Sequence, residues 1–519
     1  MRLSNANSAG SGSLEVNSAA TLVAGASTAN LITLSNATLG GSSAAVTLSG
    51  GLTIPSGAAG TIYTDDPQNP GAFVNLIFTG PLSGSGSLSV LPSAMTTNAD
   101  STTAAWRLNG TTDGGYSGTI TVNSRVKAEI RYTAAYPFSS AGAGKLVLSC
   151  GTNAPSGQLG SYCNLLVRND SGGWATFGND VQLAGAGFAA VNPLGTSPAG
   201  ALTTMGNLTI GNGQSLGVYR NGGNVMTVVF PTVTLTGGTA TFSPRPSSFD
   251  PAVNGSDLSL GDISQTAASG VAMNGLRTLS ITGSATYTGS TSVSNGTLNV
   301  TGALNGGGAV TVAGGRLAGT GTIEGPVAVL SGATLAPGTV TALAGDVNQA
   351  PIFGVGTLTI NNNLALAGNV LIEVDNSLFP ASDVVNVAGT LAYGGTLTAT
   401  NSGPGALSVG DQFQVFKAGG SGNFTSILGS PGAGLAWSFN PAMGILSVVG
   451  AQPRLALSQT GNVLAFSWEE SGFKLQSQTN AASTGLSTNW FDYPNGGTSP
   501  VETTIDPANP SVFFRLISQ

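Results

Sequence analysis

Residues 308–319 read GAVTVAGGRLAG, and residues 325–338, GPVAVLSGATLAPG, restate them. Val310 and Val312 recur as Val327 and Val329, and Leu317 recurs as Leu335, so the two copies keep nearly the same internal spacing. Each unit contains strands of a few residues, apolar at alternate positions and closed by Gly. Such a strand has an apolar face but no partner inside its own unit, so it is buried only when a neighbouring copy stacks on it. The repeat therefore predicts a solenoid. A Greek-key sandwich also has many short strands but no reason to repeat itself, and a second echo, YSGTITV (residues 116–122) in YTGSTSV (residues 287–293), points the same way.

Strand-like pieces bounded by Gly, Asn, Asp and Ser run along the whole chain, for example at residues 46–48, 208–210, 279–281 and 370–374, while helical periodicity is all but absent. The expected fold is all-β: a right-handed parallel β-helix over residues 1–450, because crossovers between parallel strands are overwhelmingly right-handed. With roughly 18–25 residues per coil and about 4.8 Å between stacked strands, the rod would be on the order of 90–120 Å long. The 78 Gly among 519 residues are expected at coil corners, where φ is positive or backbones approach closely. Segments that break the pattern, residues 65–72, 97–113, the stretch around the cysteines, 244–257 and 345–353, are expected to loop out of the rod, where recognition commonly resides.

After GAQP the texture changes. Residues 453–519 carry Trp468, Trp490 and the pieces LAFSW, FKLQSQ and VFFRLI, which predict a small antiparallel, sandwich-like β-module.

Residues 279–449 resemble the autotransporter-associated β-strand repeats of bacterial surface proteins. The likeness is carried by ATYTGSTSVSNGTLNV (285–300), the doubled unit, GTLTINNNLAL (356–366), SDVVNVAGTLAYGGTLTAT (382–400) and GDQFQVFKAGGSGNFTSI (410–427), the last similar to the terminal coils of such arrays. The resemblance implies a right-handed β-helix exported beyond the cytoplasm, acting in adhesion, matrix or surface display rather than catalysis. One departure is clear: a complete autotransporter ends in a membrane barrel, whereas the ending here is similar to short C-terminal β-modules of secreted bacterial proteins, so self-translocation is not implied. The start, MRLSNANSAGSGSLEV, lacks the apolar core of a secretory signal and reads as repeat material, so an export signal is expected outside this sequence.

Charge narrows the partners. Only 7% of residues are charged, against about 25% in typical globular proteins. The net charge is −7 and the 15 basic residues are scattered singly along the sequence, so neither nucleic acid nor an anionic membrane surface is an expected partner. No apolar run approaches the roughly 18 residues of a membrane-spanning helix. The expected partners are surface glycans or a second copy of the chain, stacked end to end through an unpaired strand edge near Leu14.

The chain has no histidine, which removes Ser-His-Asp and Cys-His nucleophilic systems and His-based zinc sites. No cofactor, metal site or catalytic residue is expected. Residues 213–217 match G-x-S-x-G but have no base and no strand-to-helix setting, and SAGAGKL around Lys145 lacks parts of a phosphate loop. Carboxylate chemistry survives as the alternative, a β-helical polysaccharide lyase or glycoside hydrolase, with Glu373, Asp375 and Asp383 or Asp250, Asp257 and Asp262 as the groupings; solvated, unrelated acids are the simpler reading. A glycan-binding adhesin is the third possibility. Of the five Trp, Trp106, Trp174, Trp437, Trp468 and Trp490, most are expected to be core residues rather than sugar-stacking platforms. Cys150 and Cys163, the only cysteines, are expected to form a disulfide if the protein is exported, which would contribute about 3 kcal/mol through loop entropy.

Overall fold

Val310 and Val312 turn inward and Thr311 between them faces outward, and Val327, Ala328 and Val329 repeat that alternation. The computed structural model lays the second strand on the first: Val310 pairs with Val327, Val312 with Val329, and Leu317 with Leu335, all in parallel register. The spacing of the repeat in the sequence is thus the length of one coil. The structure describes residues 1–5, 9–42, 45–93, 106–110, 113–132, 139–151, 162–196, 200–220, 226–244, 254–341, 352–451, 453–469, 472–481, 483–509 and 511–518. Among these there are strands and turns but no helix.

The fold is a parallel β-helix. A 25-stranded sheet forms one long face and a 16-stranded sheet another, joined near the start by a short sheet of four strands, Leu14–Asn17, Ile32–Ser35, Leu52–Ile54 and Leu82–Gly84. Inward residues merge into one apolar cluster that runs from Leu3 to Val448. Leu279, Leu298, Leu317, Leu335, Val370 and Leu397 stack directly on one another along it, each fully buried. Burying each such side chain is worth about 1.5–3 kcal/mol, so every coil is held mainly by its two neighbours.

Coil length varies more than the sequence suggests. Val327 follows its register partner Val310 after one short coil, whereas Leu165 follows its partner Ala128 after more than twice that length of chain. Continuous parallel pairings lead from Arg2–Leu3 to Ser426–Leu428 through roughly eighteen rungs, which gives a rod about 80 Å long at ~4.8 Å per rung. That is shorter than expected because residues spent on excursions do not lengthen the axis.

Glycine sits where coils touch. Gly283, Gly302 and Gly321 occupy one corner in successive coils: a Cβ on Gly302 would lie 2.0 Å from the Gly283 carbonyl oxygen, and one on Gly321 would lie 2.1 Å from that of Gly302. Gly289, Gly308 and Gly325 form a second column with clearances of 1.9 Å. At these corners the requirement is close approach rather than a left-handed backbone.

Several expected excursions leave the coils. Asp65–Asp66 and Asn69–Phe73 form an antiparallel hairpin, and Thr339–Thr341 pairs with Ile352–Gly354 on either side of residues 342–351, which lie outside the described residues. Of the 244–257 segment, Asn254–Gly255 returns antiparallel to Gln214–Arg220. Within 97–113 the expectation of a loop is corrected: Trp106–Leu108 is a regular rung of the 16-stranded sheet, paired to Leu76–Phe78 and Ala128–Ile130, with Trp106 buried in the core.

The last part of the 1–450 region is not coil. Gln412–Gln414, Leu435–Asn440 and Ile445–Gly450 form an antiparallel sheet, and Tyr393, Phe416, Phe424 and Phe439 pack ring against ring with centroids 5.1–6.3 Å apart, closing the core at that end. Beyond it, two three-stranded antiparallel sheets enclose a separate cluster of Phe466, Trp468, Leu475 and Val501. Phe466 on one sheet meets Phe514 on the other at 4.2 Å.

The expected disulfide is not made. Cys150 and Cys163 are free thiols: Cys150 follows Lys145–Ser149 of the long sheet, whereas Cys163 opens Cys163–Asn169 of the second sheet and is fully buried. Burial raises the Cys150 thiol to about 11 and drives that of Cys163 well above its ordinary value.

Candidate functional site

Three consecutive rungs of the 16-stranded sheet, Trp106–Leu108, Lys127–Tyr132 and Cys163–Asn169, gather charges that the sequence scatters. Strand alternation sends Trp106, Leu108, Ala128, Ile130, Leu165 and Val167 into the core. The intervening positions, Arg107, Lys127, Glu129, Arg131 and Arg168, therefore share the outer face. Register then aligns them: Arg107 stands opposite Glu129, and Arg131 opposite Arg168. Asp170, just past the last strand, completes the group.

Glu129 is only 2% exposed, with Arg107 Nε at 3.8 Å and Arg168 Nη1 at 4.0 Å. Asp170 takes Arg168 Nε at 2.7 Å and Arg131 Nη2 at 3.3 Å. Arg168 therefore bridges both acids. Burial alone would lower its affinity for the proton, but the hydrogen bond and charge of Asp170, with the charge of Glu129, raise it overall. Lys127 moves the other way: burial first, then the nearby Arg107, lowers it against a smaller pull from Glu129. Four cations face two acids here, a local excess of two positive charges on a chain whose net charge is −7.

On the same outer face the next rungs turn polar and aromatic. The Tyr162 and Tyr219 hydroxyls meet at 2.8 Å, Asn164 donates to Tyr219 Oη at 2.9 Å, Asn192 donates to Asn164 at 2.6 Å, and the Tyr219 backbone N–H donates to Asn192 at 2.8 Å. Tyr162, Phe188, Ala190 and Tyr219 form a second buried cluster separate from the main core. Satisfied, buried networks of this kind make a surface rigid.

The carboxylates of the two groupings that are described are engaged within the fold. Asp383 is fully buried, and its two oxygens accept the backbone N–H groups of Gly356 and Glu373, both at 2.9 Å. The Glu373 and Asp383 carboxyls hydrogen-bond to each other; burial, then that contact, pushes Asp383 up to about 9, and burial raises Glu373 as well. Asp375 stands apart from this pair, past the end of Asn369–Val374, and accepts from Ser377 N–H at 2.9 Å. Asp257 forms a two-pronged ion pair with Arg277 at 3.0 and 3.1 Å, Asp262 caps Ser284 N–H at 2.8 Å, and Asp250 lies outside the described residues.

One surface depression does carry mixed charge, lined by Asp113, Lys145, Thr176, Phe177 and Asp180. Each of its acids already accepts a backbone N–H, Asp113 from Gly115 at 2.8 Å and Asp180 from Asn207 at 2.7 Å. Of the Trp residues, Trp106, Trp437 and Trp468 are buried, Trp490 lies under the Arg515 guanidinium at 4.4 Å, and Trp174 is 75% exposed. Ser215 of the G-x-S-x-G match lies within the strand Gln214–Arg220, with no following helix among the described residues. No three metal-ligating side chains come together among the described residues, and no helix there is long and apolar enough to cross a membrane. The chain matches no family model and no curated protein.

Proposed function

We propose that this chain is an exported, surface-displayed β-solenoid with a structural and adhesive role and no turnover of its own. The observation that carries the reading is the single core from Leu3 to Val448, which turns most of the chain into one stiff rod that presents its outer faces to solvent. The charged side chains of the second sheet fit the same role, since each acid there is held by two arginines rather than poised for proton transfer. The resemblance of residues 279–449 to passenger-type repeats supports an extracellular setting. The antiparallel pair Leu435–Asn440 and Ile445–Gly450 that follows Ser426–Leu428 favours a single rod over an end-to-end fibre, because a stacked copy would have to displace it.

A carboxylate-based glycan-cleaving enzyme is the second reading, favoured by the Asp113, Lys145 and Asp180 depression. Both readings are separated by incubating the full chain with a panel of polyuronates and neutral glycans and measuring new reducing ends alongside retention on immobilised polymer. Retention without product is expected. Product formation that Asp180→Asn abolishes would replace the scaffold with the enzyme.

A further inference from the structure

We propose that the outer face formed by Arg107, Lys127, Arg131 and Arg168 binds a linear acidic glycan, a polymer with a carboxylate on successive sugars, lying along the rod axis. This rests on the scaffold reading and gives its adhesive role a ligand class and a place. The first ground is periodicity. Arg107, then Lys127 with Arg131, then Arg168 occupy adjacent rungs, and rungs are about 4.8 Å apart, so a polymer along the axis meets a cation at every step. The arginine side chains remain 33–36% exposed despite their ion pairs. Guanidinium groups match carboxylates through paired N–H donors.

The second ground is charge density. Duplex DNA carries one charge per about 1.7 Å, and such a polymer is repelled by a chain of net charge −7. Glu129 and Asp170 cancel half of the local positive charge, which suits a polymer charged about once per residue. The third is spacing: an extended polyglutamate chain brings a side chain to one face only about every 6.6 Å, out of step with rungs about 4.8 Å apart.

The test is affinity electrophoresis and calorimetry of the full chain with polygalacturonate, dextran, poly-glutamate and duplex DNA. Polygalacturonate should bind selectively and more weakly as salt rises. R107Q/R131Q, which leaves Arg168 bridging both acids, should weaken it at least tenfold, with a lowered thermal midpoint because the 2%-exposed Glu129 loses one of its two arginines. K127Q supplies an independent variant should the double one lose stability. The proposal is overturned if the parent binds dextran, poly-glutamate or DNA as tightly, or if R107Q/R131Q and K127Q bind polygalacturonate as well as the parent. Shortening of the bound polymer would defeat the scaffold reading alone, whereas no binding would defeat this inference alone.

Discussion

Gly302 and Gly307 lie close together in the same coil, and replacing each with Ala separates coil stacking from ordinary loop strain. At Gly302 the new Cβ would lie 2.0 Å from the Gly283 oxygen, where ordinary contact begins at 3.4 Å, so the two coils must part by more than an ångström. The bonds at risk are Gly302 N–H to Ile281 at 3.0 Å, Ala303 N–H to Gly283 at 2.9 Å, and Thr322 N–H to Gly302 at 3.0 Å. Leaving two of these half-buried backbone groups unpaired, at about 1–3 kcal/mol each, gives a loss of about 2–6 kcal/mol. Gly307 has φ +74° and nothing within 4 Å of a Cβ, so Ala there costs only the left-handed strain, about 1–2 kcal/mol. Urea unfolding followed by circular dichroism should place the G302A midpoint well below that of G307A. Hydrogen exchange should show the loss centred on residues 281–322, since each coil leans on its neighbours. Equal midpoints, or a G307A variant less stable than G302A, would refute stacking at this corner.

Raising Asp383 in the folded state makes the fold bind a proton that the unfolded chain releases near pH 4, so stability should fall as pH rises from about 4 to about 9. D383N should flatten that slope in a pH series of urea midpoints. Arg277→Ala should cost about 3–5 kcal/mol by stranding the 8%-exposed Asp257 carboxylate, a loss that the double variant R277A/D257A partly restores. Tyr116→Phe should cost about 1–2 kcal/mol in thermal unfolding, because the buried hydroxyl donates at 2.7 Å to the Gly86 carbonyl, reaching back a full coil. Iodoacetamide should leave Cys163 unmodified until the chain unfolds, and reduction should not change the unfolding midpoint, given the free and buried thiol.

What the sequence announced was the repeat that carries its own register. Val310 and Val327, or Leu317 and Leu335, are spaced by uninterrupted coils, so the apolar pattern alone places one on the other. The echo of YSGTITV in YTGSTSV is real at the local level, since Tyr116 and Tyr287 are both buried ahead of a strand and both use their hydroxyl nearby. Yet Thr119–Val122 belongs to the long sheet and Thr291–Val293 to the second sheet, so the motif marks a corner device rather than a fixed place in the coil. The charged face was hidden because its members fall in coils of unequal length: the step from Trp106 to its partner Ala128 is much shorter than the step from Ala128 to Leu165. The one signal available was K-A-E-I-R at residues 127–131, three charges at alternate positions and hence on one face of a strand. The sequence places the two cysteines near one another in the chain, and the fold keeps both as free thiols, Cys150 after a strand of the long sheet and Cys163 at the start of one in the second.

Stacking in register over the whole array is tested most directly by distances between spin labels. Ala272, Ser292, Thr311, Ala328, Ala365, Ala392 and Ser421 form one outward column of successive register partners. With Cys150 and Cys163 replaced by Ser, labels at positions 272 and 421 are far apart in sequence but separated by only six rungs, roughly 29 Å at ~4.8 Å each. A narrow distribution centred on that separation is the result that stacked coils require. A broad distribution, or one centred beyond about twice that distance, would mean that residues 272–421 are not a continuous solenoid.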